Sequence, residues 1–174
     1  MDDFNLIITT LRGTERQACS EMRYFLKDEL GDPEPIIEKT RIRGLILAKV
    51  SLNVFEVIDK FRKMIREHPY KLRYALRIIP IQRVVITDLT EIRRVSLELA
   101  KSIGEDDSFR VTVEKRFTSL HSKDFIEAAA SGINRTINLS EPDNILLIEV
   151  LGELTDISLI KPEDILAVTK EKML

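Results

Sequence analysis

His121 and Ser122 stand side by side, just after the pair Lys115-Arg116, in the stretch SFRVTVEKRFTSLHSKD that runs from Ser108 to Asp124. Two chemistries can be written on these residue types. A serine beside a histidine suggests a nucleophile and its base, whereas a basic pair followed by small polar side chains suggests a phosphate site. The catalytic reading is weak, because adjacent residues seldom point at each other as proton transfer requires and no orienting acid is forced nearby. The phosphate reading asks for Lys115 and Arg116 at a strand end, hydrogen bonds from Ser119, His121 and Ser122, and the free amides of a helix N-terminus. A bland alternative stays open for two residues: Ser122 capping the helix and Phe117 filling core.

Other catalytic constellations are missing from the sequence. The six glycines (13, 31, 44, 104, 132 and 152) are too dispersed for a phosphate loop. One cysteine and two histidines fifty-three positions apart make no zinc spacing, so neither a metal nor a cofactor is expected. Asp156, Glu163 and Asp164 lie close in sequence and read as solvated carboxylates that keep the surface hydrated, not as an acid/base pair. Cys19 reads as a small buried residue in a helix; as the only cysteine it forms no internal disulfide, which agrees with a reducing compartment. These residues give no reason to expect catalysis by the chain alone.

The formal net charge is −2, but the charge is segregated along the chain. Residues 60–83 carry eight basic side chains against one acidic, and 136–174 carry three against eight. Lys60, Arg62, Lys63, Arg66, Lys71, Arg73, Arg77 and Arg83 make up the excess. Such a distribution builds a positive surface on an acidic protein or merely solvates a helix end, and charge alone leaves both readings open. The overall acidity stands against a dedicated nucleic-acid binder, and the 6% aromatic content makes stacking of single strands a poor model of any RNA binding and recognition of RNA shape and backbone a better one.

Hydrophobic periodicity supplies the elements that must position these groups. A strand over Phe4 to Thr10 is followed by a helix from Gly13-Thr14 to about Leu30, with Ala18, Met22, Phe25 and Leu26 at helical spacing. Two strands, Ile36 to Arg41 and Gly44 to Val50, meet at a tight turn around Arg43-Gly44. A second helix begins at Asn53 as N-cap and carries Val54, Val57, Ile58, Phe61, Met64 and Ile65, and a strand over Tyr74 to Ile79 completes β-α-β-β-α-β. Beyond Pro80 the order changes. A strand over Ile81 to Thr87, a helix capped by Asp88 or Thr90, the Ser108 strand, a helix from Ser122, and strands over Ile145 to Leu151 and Ile157 to Ile160 form a second α/β module. The apolar run ILLIEV suggests a strand covered on both faces, with parallel neighbours. The expectation is an α/β (α+β) chain of two modules, 1–80 ferredoxin-like and 81–174 of a second type. No apolar run approaches the roughly 20 residues of a membrane span, and the N-terminus opens with two acids, so a cytoplasmic location is expected.

Three segments of the second module, RIIPIQRVVITDLTEIRRVSLELAKSI, SFRVTVEKRFTSLHSKDFIEAAASGI and PDNILLIEVLGELTDISLIKP, together resemble a THUMP domain, the RNA-binding module of several tRNA-modifying enzymes. The resemblance covers about residues 75–162, and the preceding module is similar to the ferredoxin-like domain that accompanies THUMP. It is nearest to the stand-alone THUMP proteins that act as adaptors in tRNA cytidine acetylation. The resemblance implies tRNA as partner, held through its acceptor end, and an acetyltransferase forming N4-acetylcytidine as a second partner. It carries binding roles to Arg110, Lys115 and Arg116 on the strand, Ser119, His121 and Ser122 in the turn, Arg77 and Arg83 near the module boundary, and Lys161 after the last strand. It also implies an adaptor and not an enzyme, since 174 residues leave no room for a methylase, thiolase or synthase domain beside the two modules. A competing expectation is a protein-interaction or regulatory module that does not bind RNA directly.

Overall fold

A computed structural model describes all 174 residues, which fall into two compact units, each with one five-stranded sheet. In the first unit, β1 (Leu6–Thr10) leads to α1 (Glu15–Tyr24), which runs on as a π-helical turn over Phe25–Glu29. The widened turn is closed by the Leu30 amide donating to the Phe25 carbonyl at 2.8 Å, and it buries both Phe25 and Leu26. Next come β2 (Ile36–Lys39), β3 (Leu45–Lys49), α2 (Val54–Glu67) and β4 (Ala75–Pro80). The start of α2 is fixed by Asn53, whose side-chain oxygen accepts from the Phe55 and Glu56 amides at 3.0 and 3.2 Å. Its stripe Val57, Ile58, Phe61, Met64 and Ile65 is buried, as period 3.6 requires.

The second unit begins with β5 (Arg83–Ile86) and α3 (Leu89–Ala100), which Asp88 caps by accepting from the Glu91 amide at 3.0 Å. It continues through β6 (Ser108–Arg116), α4 (Ser122–Ala130), β7 (Thr136–Ile137), β8 (Asn144–Leu151) and β9 (Leu154–Ile160). The strands lie in the order β5-β9-β8-β6-β7, with β6 parallel to both neighbours and the β8–β9 and β5–β9 pairs antiparallel. The ILLIEV strand is therefore central with one parallel neighbour, and Ile145 through Val150 are all buried. Val111 and Val113 pack with Ile92, Val95, Phe125 and Ala129 of the two helices. By the period-2 pleat, Arg110, Thr112, Glu114 and Arg116 then lie on the other face of β6.

After a short 3-10 turn over Pro162–Asp164, the chain ends as β10 (Leu166–Ala167) and α5 (Val168–Lys172). The first sheet takes up this tail as an edge strand, in the antiparallel order β10-β4-β1-β3-β2, with Leu166 opposite Ile78. Leu166 and Val168 are buried in the same core as Phe61 and Ile65. The first unit thus comprises residues 3–81 and 163–174, and the second 82–162, so the last twelve residues lie with the first module instead of the second. No helix is long and apolar enough to cross a membrane.

Candidate nucleic-acid interface

β6 delivers the basic pair to its C-terminal end with opposite outcomes for the two residues. Lys115 is exposed and its ammonium donates to the Leu120 carbonyl at 2.9 Å, which leaves two N–H groups toward solvent. The loop between β6 and α4 starts at Phe117, the one non-glycine residue with positive φ (57°), and its ring is 76% exposed. Phe117 therefore fills no core. The bend is held by the Gly152 amide, from the β8–β9 turn, donating to the Arg116 carbonyl at 2.8 Å.

His121, not Ser122, is the N-cap of α4. The reason lies three residues on, where the Asp124 carboxylate accepts from the His121 backbone amide at 3.0 Å and closes the helix start. The helix N-terminus expected to receive a phosphate is thus already faced by a carboxylate of its own. Ser119 and His121 are exposed and Ser122 is half-buried as the first helical residue. Lys115, Ser119 and His121 are exposed polar side chains at this end of the sheet, as is Lys123 on the first turn of α4.

Arg116 faces inward on the electrostatics. Its guanidinium lies 3.7 Å from a Glu114 carboxylate oxygen and 3.8 Å from Glu149 Oε2, and Glu149 is fully buried. Glu149 sits directly opposite Asp156 in the β8–β9 ladder, and Asp156 is fully buried as well. The expectation of a solvated Asp156 is overturned: the alternation of β9 turns it to the face away from Ile157 and its helical cover. Neither Asp156 carboxyl oxygen has a hydrogen-bond partner. Burial, then the neighbouring Glu149 and Glu114, push the Asp156 carboxyl well above the usual carboxylate range, and Arg116 opposes them. Much of the positive field of Arg116 is spent on these acids.

The remaining residues expected at the site are spread out. Arg110 lies six residues before Arg116 on β6, about 20 Å away at strand rise; its guanidinium donates to the Leu139 carbonyl at 2.9 Å and to Thr112 Oγ1 at 3.2 Å. Arg83 is on β5, three strands from β6, and pairs with Glu98 of α3 at 3.4 Å. Arg77 stands on β4 opposite Thr9 and Ala167, and Lys161 follows β9. The basic excess of 60–83 is also partly neutralised. Glu171 of α5 takes Arg62 and Arg66 at 3.2 and 3.1 Å, and Glu29 takes Lys71 at 3.7 Å. Acids remote in sequence thus cancel charge that a linear count leaves standing.

No group of three or more His, Cys, Asp or Glu side chains is placed to hold a metal ion. Cys19 is buried and its thiol is pushed up, chiefly by burial, against the pull of Arg23 and Lys39.

No family model matches the chain, and no curated protein matches it. Solved structures do. PH1313 from Pyrococcus horikoshii Ot3 is 20% identical with a TM-score of 0.64 over 91% of this chain and 55% of its own. TrmN from Thermus thermophilus is 18% identical with a TM-score of 0.61 over 90% of this chain and 45% of its own. A 4-thiouridine synthetase solved as an RNA complex with bound ATP is 16% identical with a TM-score of 0.59, over 91% of this chain and 42% of its own. The chain spans about half the length of these proteins. At such identities the likeness establishes the fold: both units of this chain share the α+β architecture of part of each of these proteins.

Proposed function

We propose that the chain is a tRNA-binding module of the THUMP kind, which positions tRNA for a modifying enzyme supplied in trans. The observation that carries this reading is the match of nine-tenths of the chain to part of a 4-thiouridine synthetase solved with RNA. Lys115, Ser119 and His121 are its first contacts, exposed together at the C-terminal end of β6. The Lys115 ammonium neutralises a phosphate and releases its counterion, while the hydroxyl and the imidazole supply neutral hydrogen bonds to phosphate or a ribose 2′-hydroxyl. Ser122 and Arg116 stand behind them, with Arg116 paired to the Glu114 and Glu149 carboxylates. Arg77, Arg83, Arg110 and Lys161 belong to more distant contacts along the RNA backbone.

In this reading the protein is an adaptor without catalysis of its own, and it works in the cytoplasm. Its enzyme partner is an acetyltransferase that forms N4-acetylcytidine. Those finer points are supported by the resemblance of the three quoted segments. The test titrates labelled tRNA with the purified chain over a range of KCl concentrations. Affinity should fall steeply with salt, and Lys115→Ala should weaken it severalfold while reducing the log–log salt slope by about 0.7–0.9. Affinity indifferent both to Lys115 and to a tenfold rise in salt would refute RNA binding at this site. For the partner, acetylation of tRNA should require this chain together with the acetyltransferase.

A further inference from the structure

The first 59 residues carry more acid than base, eight basic side chains against eleven acidic, and give no sign of a positive surface. Folding builds one from them and one later residue. At one end of the first sheet β1 leaves at Thr10 beside the entries of β3 at Leu45 and β4 at Ala75. Three connections meet there: residues 11–14, 40–44 and 73–74. They and the first turn of α1 carry Arg12, Arg16, Arg41, Arg43 and Arg73, all exposed. None of the five guanidiniums takes part in an ion pair, unlike Arg62, Arg66, Arg83, Arg94 and Arg116 elsewhere.

The acids at this end are turned away into backbone amides. The Glu15 carboxylate accepts from Gly44 at 2.7 Å and from Gly13 at 3.0 and 3.2 Å, contacts that hold it below the usual carboxylate range, Gly44 foremost. The Glu21 carboxylate accepts from the amides of Arg73, Tyr74 and Ala75, at 3.0 Å for Ala75. The same clamps fix the loops to each other. The Thr10 amide donates to the Gly44 carbonyl at 2.9 Å. A Cβ added to Gly44 would lie 2.8 Å from the Thr10 carbonyl and 3.7 Å from Arg12 Cγ, so the stem of Arg12 runs beside the Arg43-Gly44 backbone. A shallow hollow lined by Arg16, Gln17, Ser20, Glu21 and Tyr74 continues the surface toward Arg73.

We propose that this arginine end of the first unit is a second polyanion-binding surface and takes the phosphate backbone of an RNA helix. The proposal rests on the RNA-binding reading above and concerns residues that none of the β6–α4 contacts include. Arginine is the residue suited to it, since the planar fork grips phosphate through two N–H groups. Strand spacing of about 4.8 Å sets the loops across a span on the order of 10–15 Å, enough for successive phosphates of a backbone. A membrane surface fits less well, because Leu11 is the one large apolar side chain exposed among these arginines and a lipid-bound face needs a broader apolar band.

The test uses the full chain as wild type, Arg41→Glu/Arg43→Glu, Arg12→Gln/Arg16→Gln and Lys115→Glu, with total tRNA and a blunt RNA duplex as probes over a KCl series. Each arginine double variant should lose at least tenfold in affinity at low salt and lower the log–log salt slope by roughly 1.4–1.8, two phosphate contacts' worth. Circular dichroism should show the fold unchanged, since none of these guanidiniums makes a hydrogen bond or ion pair that holds the turns. If both arginine variants bind like wild type while Lys115→Glu is impaired, this proposal fails and the RNA-binding reading stands. If the wild type binds neither probe, the RNA-binding reading itself fails. Retention of phosphatidylserine vesicles or polyglutamate by the wild type, lost in the arginine variants and without RNA affinity, would assign the surface to another class of partner and overturn the proposal.

Discussion

Asp156→Asn is expected to stabilise this protein at neutral pH. The carboxyl is fully buried, lacks a hydrogen-bond partner, and stands opposite the buried Glu149. Directly opposed residues place their Cβ atoms about 5 Å apart, and two carboxylates at that separation repel by roughly 3 kcal/mol at an effective dielectric constant near 20. Arg116, 3.8 Å from Glu149 Oε2, offsets part of this. The gain from the neutral amide should therefore be about 1–3 kcal/mol, with its NH2 group able to donate to Glu149. The pH dependence gives the sharper readout. The folded-state value of Asp156 is raised above its ordinary 3.8, so folding takes up a proton between the two values. Wild-type stability then falls as pH rises through that window, by up to about 1.4 kcal/mol per pH unit. Urea unfolding of both proteins at pH 4, 6 and 8 measures it. The advantage of the variant should be smallest at pH 4, grow with pH, and level off above the raised value. A variant less stable than wild type at pH 8, or one whose stability follows pH in parallel with wild type, would show that Asp156 is not a strained buried acid.

Leu166→Ala should destabilise the first unit by about 2–5 kcal/mol, because the side chain is fully buried on β4 beside Ile78; equal denaturation midpoints for variant and wild type would show that the tail is dispensable. Phe117→Gly should stabilise by about 0.5–1 kcal/mol, as the relief of a left-handed backbone exceeds the added entropy of glycine and the exposed ring loses little packing. Thermal unfolding at one pH decides the sign.

Much of the fold was legible in periodicity. The stripe of α2, the Asn53 cap and the alternation of β6 are local patterns, and the helices and strands that they predict are present. The site was legible as residue types and not as an arrangement. His121-Ser122 and the strand-end Lys115-Arg116 are visible in the sequence, but nothing local says that Asp124 closes the helix N-terminus or that Arg116 lies against Glu149.

The sequence alone determined the four longer helices, the strands from β1 to β9 apart from β7, and the α+β class, because these depend on residues within a few positions of each other. Tertiary structure decided what depends on distant partners. β10 is two residues long and has no period to read; it exists because β4 offers an open edge and the core accepts Leu166 and Val168. Glu171 cancels charge on Arg62 and Arg66 across more than a hundred residues. Arg12, Arg16, Arg41, Arg43 and Arg73 become one surface because the backbone amides of three loops draw Glu15 and Glu21 inward. Coulomb interactions follow distance in space, so a charge tally along the chain reports neither of these outcomes.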